Sequence, residues 1–133
     1  MNKVTRLILV RHGQTVWNKL GKYQGQADIE LSEIGMEQAE QLGKKFAYPE
    51  VKAVYASPLK RAAATGRAIA DVLGLEVVTF DELKEISFGD WEGLTYEEIN
   101  APWFSVHDGL VNRPDLTACP NGEGFFSVQE RAV

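Results

Sequence analysis

A chain of 133 residues with 44% hydrophobic composition holds one globular domain with one core and leaves little room for a second. Its formal net charge of −5 speaks against nucleic acid or an anionic membrane surface as the main partner, and six Phe, three Trp and four Tyr speak against general disorder. A single cysteine excludes an intramolecular disulfide framework. Two histidines and that cysteine are a poor set for structural zinc, and no EF-hand pattern or Walker-type loop is present, which leaves carboxylate-rich magnesium or calcium sites open; no apolar run is long enough to span a bilayer, so a reducing, cytoplasmic setting is expected.

The first element is the apolar run Leu7-Ile8-Leu9-Val10, too short for an independent helix and suited to a strand buried on both faces. It stops at Arg11-His12-Gly13. At the carboxyl end of a strand in an open α/β sheet, a cation, an imidazole and a glycine make an anion site, although the same three residues also fit the wet end of an ordinary strand. Gly13 permits close backbone approach or an unusual dihedral just after the imidazole. Residues 15–29 lack a consistent period and read as a loop or short irregular helix, with Gln14, Thr15, Trp17, Asn18 and Gln24 as candidate lining.

Ser32 caps a predicted helix over 33–46, with Ile34, Met36, Ala39, Leu42 and Phe46 on its apolar side. A second strand is expected over 51–56. Ser57-Pro58 then provides an N-cap and a first-turn proline for a helix whose buried face is Leu59, Ala62, Gly66, Ile69 and Leu73, ended by Gly74. Lys60 and Arg61 fall in its first turn, where positive charge opposes the helix dipole by roughly 0.3–1 kcal/mol each. The pair makes better sense if an anion binds there; otherwise it is a solvated pair. Residues 75–80 give a third strand, and 81–93 an acidic, aromatic, glycine-rich loop.

Thr95 and Glu98 have capping-box spacing for a short helix. Residues 102–124, with Pro114, Pro120, Gly122 and Gly124, show no secure element and read as a long excursion. Ser127 and Glu130 repeat the capping spacing, so a helix has barely begun when the sequence reaches Val133. Three strands are few for a doubly covered α/β sheet, and the reading is of an N-terminal portion of a larger domain or of a chain completed by a partner.

Two arginines from different elements grip phosphoryl oxygens through planar, multi-donor forks. An imidazole between them can attack phosphorus, and neighbouring guanidinium groups disfavour its protonated form. A carboxylic acid nearby would protonate the leaving oxygen and later activate water.

The sequence resembles the histidine phosphatase, or phosphoglycerate-mutase-like, superfamily. The resemblance is carried by Arg11-His12-Gly13-Gln14-Thr15 with Trp17-Asn18, Gln24-Gly25 with Asp28 and Leu31, Gly35 with Gln38-Ala39, Ser57-Pro58-Leu59 with Arg61-Ala62 and Thr65, Glu85 before Phe88-Gly89-Asp90-Trp91-Glu92-Gly93, and Gly122-Glu123 with Val128 and Arg131. These pieces occur in family order and cover nearly all of the chain. The resemblance implies an α/β three-layer sandwich with a mostly parallel central sheet, incomplete at its C-terminus, and residues 1–133 as the N-terminal portion of a single domain. It implies His12 as the phosphorylated nucleophile, Arg11 and Arg61 as phosphate clamps, and Glu85 as proton donor and then base, with Glu82 a rival on spacing alone.

Thr15 and Asn18 would be secondary phosphate or substrate contacts, with Gln24 and Gly25 at the mouth and Glu123 at the rim; Trp91 and Glu92 are as readily structural. The implied activity is cofactor-independent hydrolysis of a small phosphorylated substrate through a phosphohistidine. The segment from Glu85 to Gly93 is closest to the small phosphatase branch, which includes broad-specificity and alpha-ribazole-phosphate phosphatases. A phosphoglycerate mutase and a catalytically incomplete phosphoanion-binding module are the alternatives. The family's second histidine has no counterpart, because His107 follows no strand. Self-association is left open.

Overall fold

The computed structural model describes residues 3–133. Helix α1 (Val16–Lys19) is followed by α2 (Glu33–Lys44), β1 (Val54–Ala56), α3 (Lys60–Leu73), β2 (Val77–Thr79), α4 (Tyr96–Asn112) and α5 (Phe125–Ala132). β1 and β2 pair in parallel with Val54 opposite Val77. Helix α3 is their crossover and packs on both strands, and α2 packs on α3. The expected α/β layering with a small parallel sheet is therefore present, and the sheet does not close.

Local signals set most helix ends. Ser32 Oγ accepts from the Gly35 amide at the start of α2, and Thr95 with Glu98 forms a reciprocal capping box on α4. Gly74 ends α3 in the left-handed conformation at φ 66°. The predicted apolar side of α2 is only partly used: Ala39 is buried and Leu42 and Phe46 are half-buried, but the helix comes closest to α3 at a glycine. Gly35, Ala39 and Gly43 are the buried positions of α2, whereas Ile34 and Met36 are 53% and 54% exposed. A Cβ on Gly43 would collide with the Ala68 carbonyl of α3, so the two backbones approach too closely for larger side chains.

Four other expectations are corrected. Residues 3–14 form no ladder, and Leu7 and Leu9 are 81% and 93% exposed, so the apolar run is not a doubly buried strand among the described residues. Such a strand needs a hydrogen-bonded neighbour on each side, and β1 and β2 pair only with each other. Helix α3 starts at Lys60, not after Ser57: Ser57 Oγ accepts from the Leu59 amide, while Asp28 Oδ1, from a distant loop, accepts from the Lys60 amide at 2.7 Å.

Residues 102–112 are helical. Pro102 produces only a break at Trp103 (φ −121°, ψ 29°), because Trp103, Val106 and Leu110 pack on the cluster of Ile86, Trp91, Ile99 and Cys119, which outweighs the missing amide. Gly124, not Ser127, is the N-cap of α5.

Candidate active site

The backbone that carries His12 is held between two helices. Gly13 N donates to Thr65 Oγ1 of α3 at 3.3 Å, and Gln14 N donates to Gln38 Oε1 of α2 at 2.9 Å. Ser32, at the α2 cap, donates its amide to the Gln14 carbonyl at 2.8 Å. Gly13 is needed for close approach: a Cβ there would strike the Gly35 carbonyl. Thr65 Oγ1 also donates to the Arg61 carbonyl at 2.8 Å, so one hydroxyl ties the histidine segment to the arginine turn.

His12 Nδ1 lies 2.6 Å from the Gly13 carbonyl oxygen. A carbonyl can only accept, so Nδ1 carries the proton, and in the neutral ring Nε2 keeps its lone pair. Burial lowers the His12 pKa from 6.5, and the Arg61 and Arg11 charges act in the same direction, opposed by the Gly13 hydrogen bond and the Glu85 carboxylate. Titration of His12 followed by nitrogen NMR without phosphate is expected to show a neutral, Nδ1-protonated ring with a midpoint below 6.5. A midpoint at or above that value, or an Nε2–H ring, would contradict this arrangement.

Arg61 is only 2% exposed. Its Nη2 donates to the Gly25 carbonyl at 2.6 Å and its Nη1 to the Ala27 carbonyl at 2.7 Å. A guanidinium has five N–H donors, so the remainder can face an anion without breaking these bonds. Burial pulls its pKa down, while the Glu85, Asp28 and Glu92 carboxylates hold it up. The basic first turn is thus answered by the protein's own acids: Asp28 takes the Lys60 amide, and Glu30 pairs with the Lys60 ammonium at 3.1 Å. Arg11 stands exposed next to His12.

Gly25 has φ 52°, and a Cβ there would meet the Glu92 carboxylate and the Phe88 amide. Glu92 Oε1 accepts from the Gln26 amide at 2.8 Å and from the Phe88 amide at 3.2 Å, so it braces the mouth from within. Thr15 is fully buried and caps α1 in a box with Asn18; its hydroxyl lies 2.6 Å from Gln24 Oε1. Thr15 and the Gln24 carbonyl oxygen are thereby engaged inside the protein, while Asn18 is exposed.

Glu85 is exposed, its Oε1 accepting from the Ile86 amide at 2.8 Å. Its charge is felt at both His12 and Arg61, which places the three groups in one neighbourhood. His107 lies elsewhere, on α4, with Nε2 2.7 Å from the Tyr23 hydroxyl and its ring against Trp91 and Tyr96. Glu123 is turned toward Arg131 and the Ser87 amide. The cap by Asp28 and the Arg131 contacts escaped the sequence reading, since neither leaves a local spacing to find. Among the described residues, no cluster of His, Cys, Asp and Glu is arranged to hold a metal ion, and no helix is long and apolar enough to cross a membrane.

An imidazole with a free lone pair, set among a buried arginine, an exposed arginine and a carboxylate on an α/β scaffold, has the chemistry to receive a phosphoryl group. Residues 7–133 match the model of the histidine phosphatase superfamily (branch 1), and the chain belongs to that superfamily. It is 37% identical over 128 residues to phosphoserine phosphatase 1 of Hydrogenobacter thermophilus, covering 96% of this chain and 61% of that protein. It is 38% identical over 132 residues to the glucosyl-3-phosphoglycerate phosphatase of Mycolicibacterium vanbaalenii, covering 98% and 58% respectively. The solved Bacillus stearothermophilus YhfR superposes with a TM-score of 0.83 at 36% identity, over 91% of this chain and 60% of that one. The chain thus spans about three-fifths of the length of the relatives it matches.

Proposed function

We propose that the protein hydrolyses a small phosphomonoester through a phosphohistidine on His12. The observation that carries this reading is the Nδ1 contact to the Gly13 carbonyl, which leaves Nε2 as the nucleophilic atom beside two guanidinium groups. In the first step the Nε2 lone pair forms the N–P bond as the ester P–O bond breaks, and the leaving oxygen takes the proton of the Glu85 carboxyl group. Arg11 and Arg61 neutralise the charge on the phosphoryl oxygens. In the second step water attacks phosphorus, Glu85 accepts its proton, and the N–P electron pair returns to Nε2. Asn18, Thr15, Gln24 and Gly25 would shape the phosphate end, with Thr15 and Gln24 acting mainly through the packing already described.

The names of the relatives favour phosphate esters of small polar alcohols, such as phosphoserine. Alkyl alkoxides are poor leaving groups that need a proton, which suits a site with a carboxyl group beside the nucleophile. The Glu85→Gln variant is expected to slow hydrolysis of phosphoserine by about a hundredfold or more, while p-nitrophenyl phosphate, whose phenolate leaves unaided, loses far less in the first step. Single-turnover rates of phosphoenzyme formation on the two esters make the comparison, with Glu82→Gln as the control. Equal losses on both esters would remove Glu85 from the acid role.

A further inference from the structure

Arg131 is the penultimate residue of α5, and four of its five N–H groups are used on the loop that carries Glu85 and on Glu123. Nη1 donates to the Glu82 carbonyl at 2.6 Å and Nη2 to the Glu85 carbonyl at 3.0 Å, while Nε and Nη2 grip the two oxygens of Glu123 at 2.9 and 3.0 Å. Glu123 in turn accepts the Ser87 amide at 2.8 Å, and its own amide donates to the Ser87 carbonyl at 2.8 Å. Gln26, next to the glycine that meets Arg61, adds a donor to the Glu85 carbonyl at 3.2 Å. The backbone on both sides of Glu85 is fixed from α5, from the 119–124 turn and from the loop at the site's mouth, yet its carboxylate remains exposed.

We infer that Arg131, clamped by Glu123, is a positioning residue that sets where the Glu85 carboxyl group stands over the leaving oxygen. The inference rests on the reading of Glu85 as acid and base. A carboxyl group on an untethered loop would sample many positions, and proton delivery depends on hydrogen-bond reach to one atom. A guanidinium suits the task because its planar fork reaches two carbonyls three residues apart while pairing with a carboxylate. The ion pair is only partly exposed, at 20% and 23% for the two side chains, so water screens it less than a surface pair.

The test compares Arg131→Gln, Arg131→Lys and Glu85→Gln in single turnover on phosphoserine and p-nitrophenyl phosphate. Arg131→Lys keeps the charge, but a single ammonium cannot span Glu82, Glu85 and Glu123 at once. Both Arg131 variants are expected to lose at least about tenfold on phosphoserine and little on p-nitrophenyl phosphate, reproducing in part the pattern of Glu85→Gln. Arg131 variants that lose equally on both esters, or Arg131→Lys at the wild-type rate on phosphoserine, overturn the inference. If Glu85→Gln itself shows no dependence on the leaving group, the acid assignment fails, and the positioning role falls with it for that separate reason.

Discussion

The His12→Ala protein is expected to take up no phosphoryl group and to lose turnover by roughly a thousandfold or more. In the proposed reaction the imidazole supplies the atom that accepts phosphorus, and no other described side chain beside the Arg61 fork offers an uncharged nitrogen lone pair; His107 is held by Tyr23 on α4. Because His12 is only half-buried and its ring contacts its own neighbour's carbonyl, removing the ring leaves the Gly13–Thr65 and Gln14–Gln38 bonds in place. The variant should therefore fold, which makes its inactivity chemical. Rapid-quench samples read by intact-mass spectrometry measure the outcome: the parent protein gains one phosphoryl group that is lost in acid, and the variant gains none. A label that persists in His12→Ala would move the nucleophile to another residue.

Substitution at Arg61 is expected to damage chemistry and fold together. In Arg61→Ala the carbonyls of Gly25 and Ala27 lose charged donors in a buried setting, a cost of about 1–3 kcal/mol. Loss of an oriented cation at the phosphoryl oxygens should lower kcat/KM by roughly a hundredfold or more. Arg61→Lys separates the two effects. It restores a positive charge but reaches one carbonyl rather than two, so stability should recover partly and kcat/KM should remain far below the parent value. Urea midpoints and kcat/KM on the same samples decide it. Parent-like kinetics in Arg61→Lys would mean that the residue serves the loop alone.

The helix signals were legible because they are local. Ser32, Gly74 and the Thr95–Glu98 box act within a turn of where they stand, and the spacing that reveals them is the spacing that makes them work. The pairing of the His12 segment with the arginine turn was legible as a motif: Arg11-His12-Gly13 and Arg61 are widely separated in sequence, and the Thr65 hydroxyl joins their backbones. What could not be read depends on pairs that no period links. Asp28 replaces Ser57 as the cap of α3 because the loop from Gly25 to Glu30 is drawn in by Arg61, a tertiary event. The continuation of α4 past Pro102 is decided by the packing of Trp103, Val106 and Leu110, against the local preference. Leu7 to Val10 reads as a buried strand on composition alone, and composition carries no information on whether neighbouring strands stand beside it.

The close approach of α2 to α3 at Gly43 gives the His12 segment an unusual dependence. His12 has no sheet to rest on among the described residues; the backbone that follows it is tied to one hydroxyl on α3, to one amide side chain on α2 and to Ser32 at the α2 cap. The gap between those helices is therefore a calliper that sets the height of the imidazole, and its jaws are glycine and alanine, which leave no slack to absorb an added carbon. A methyl group inserted at Gly43, most of the way along α2 from the Ser32 cap, would open the calliper and be read at Nε2 without touching the phosphate site. Distance from His12 is then a poor guide to which positions govern its chemistry.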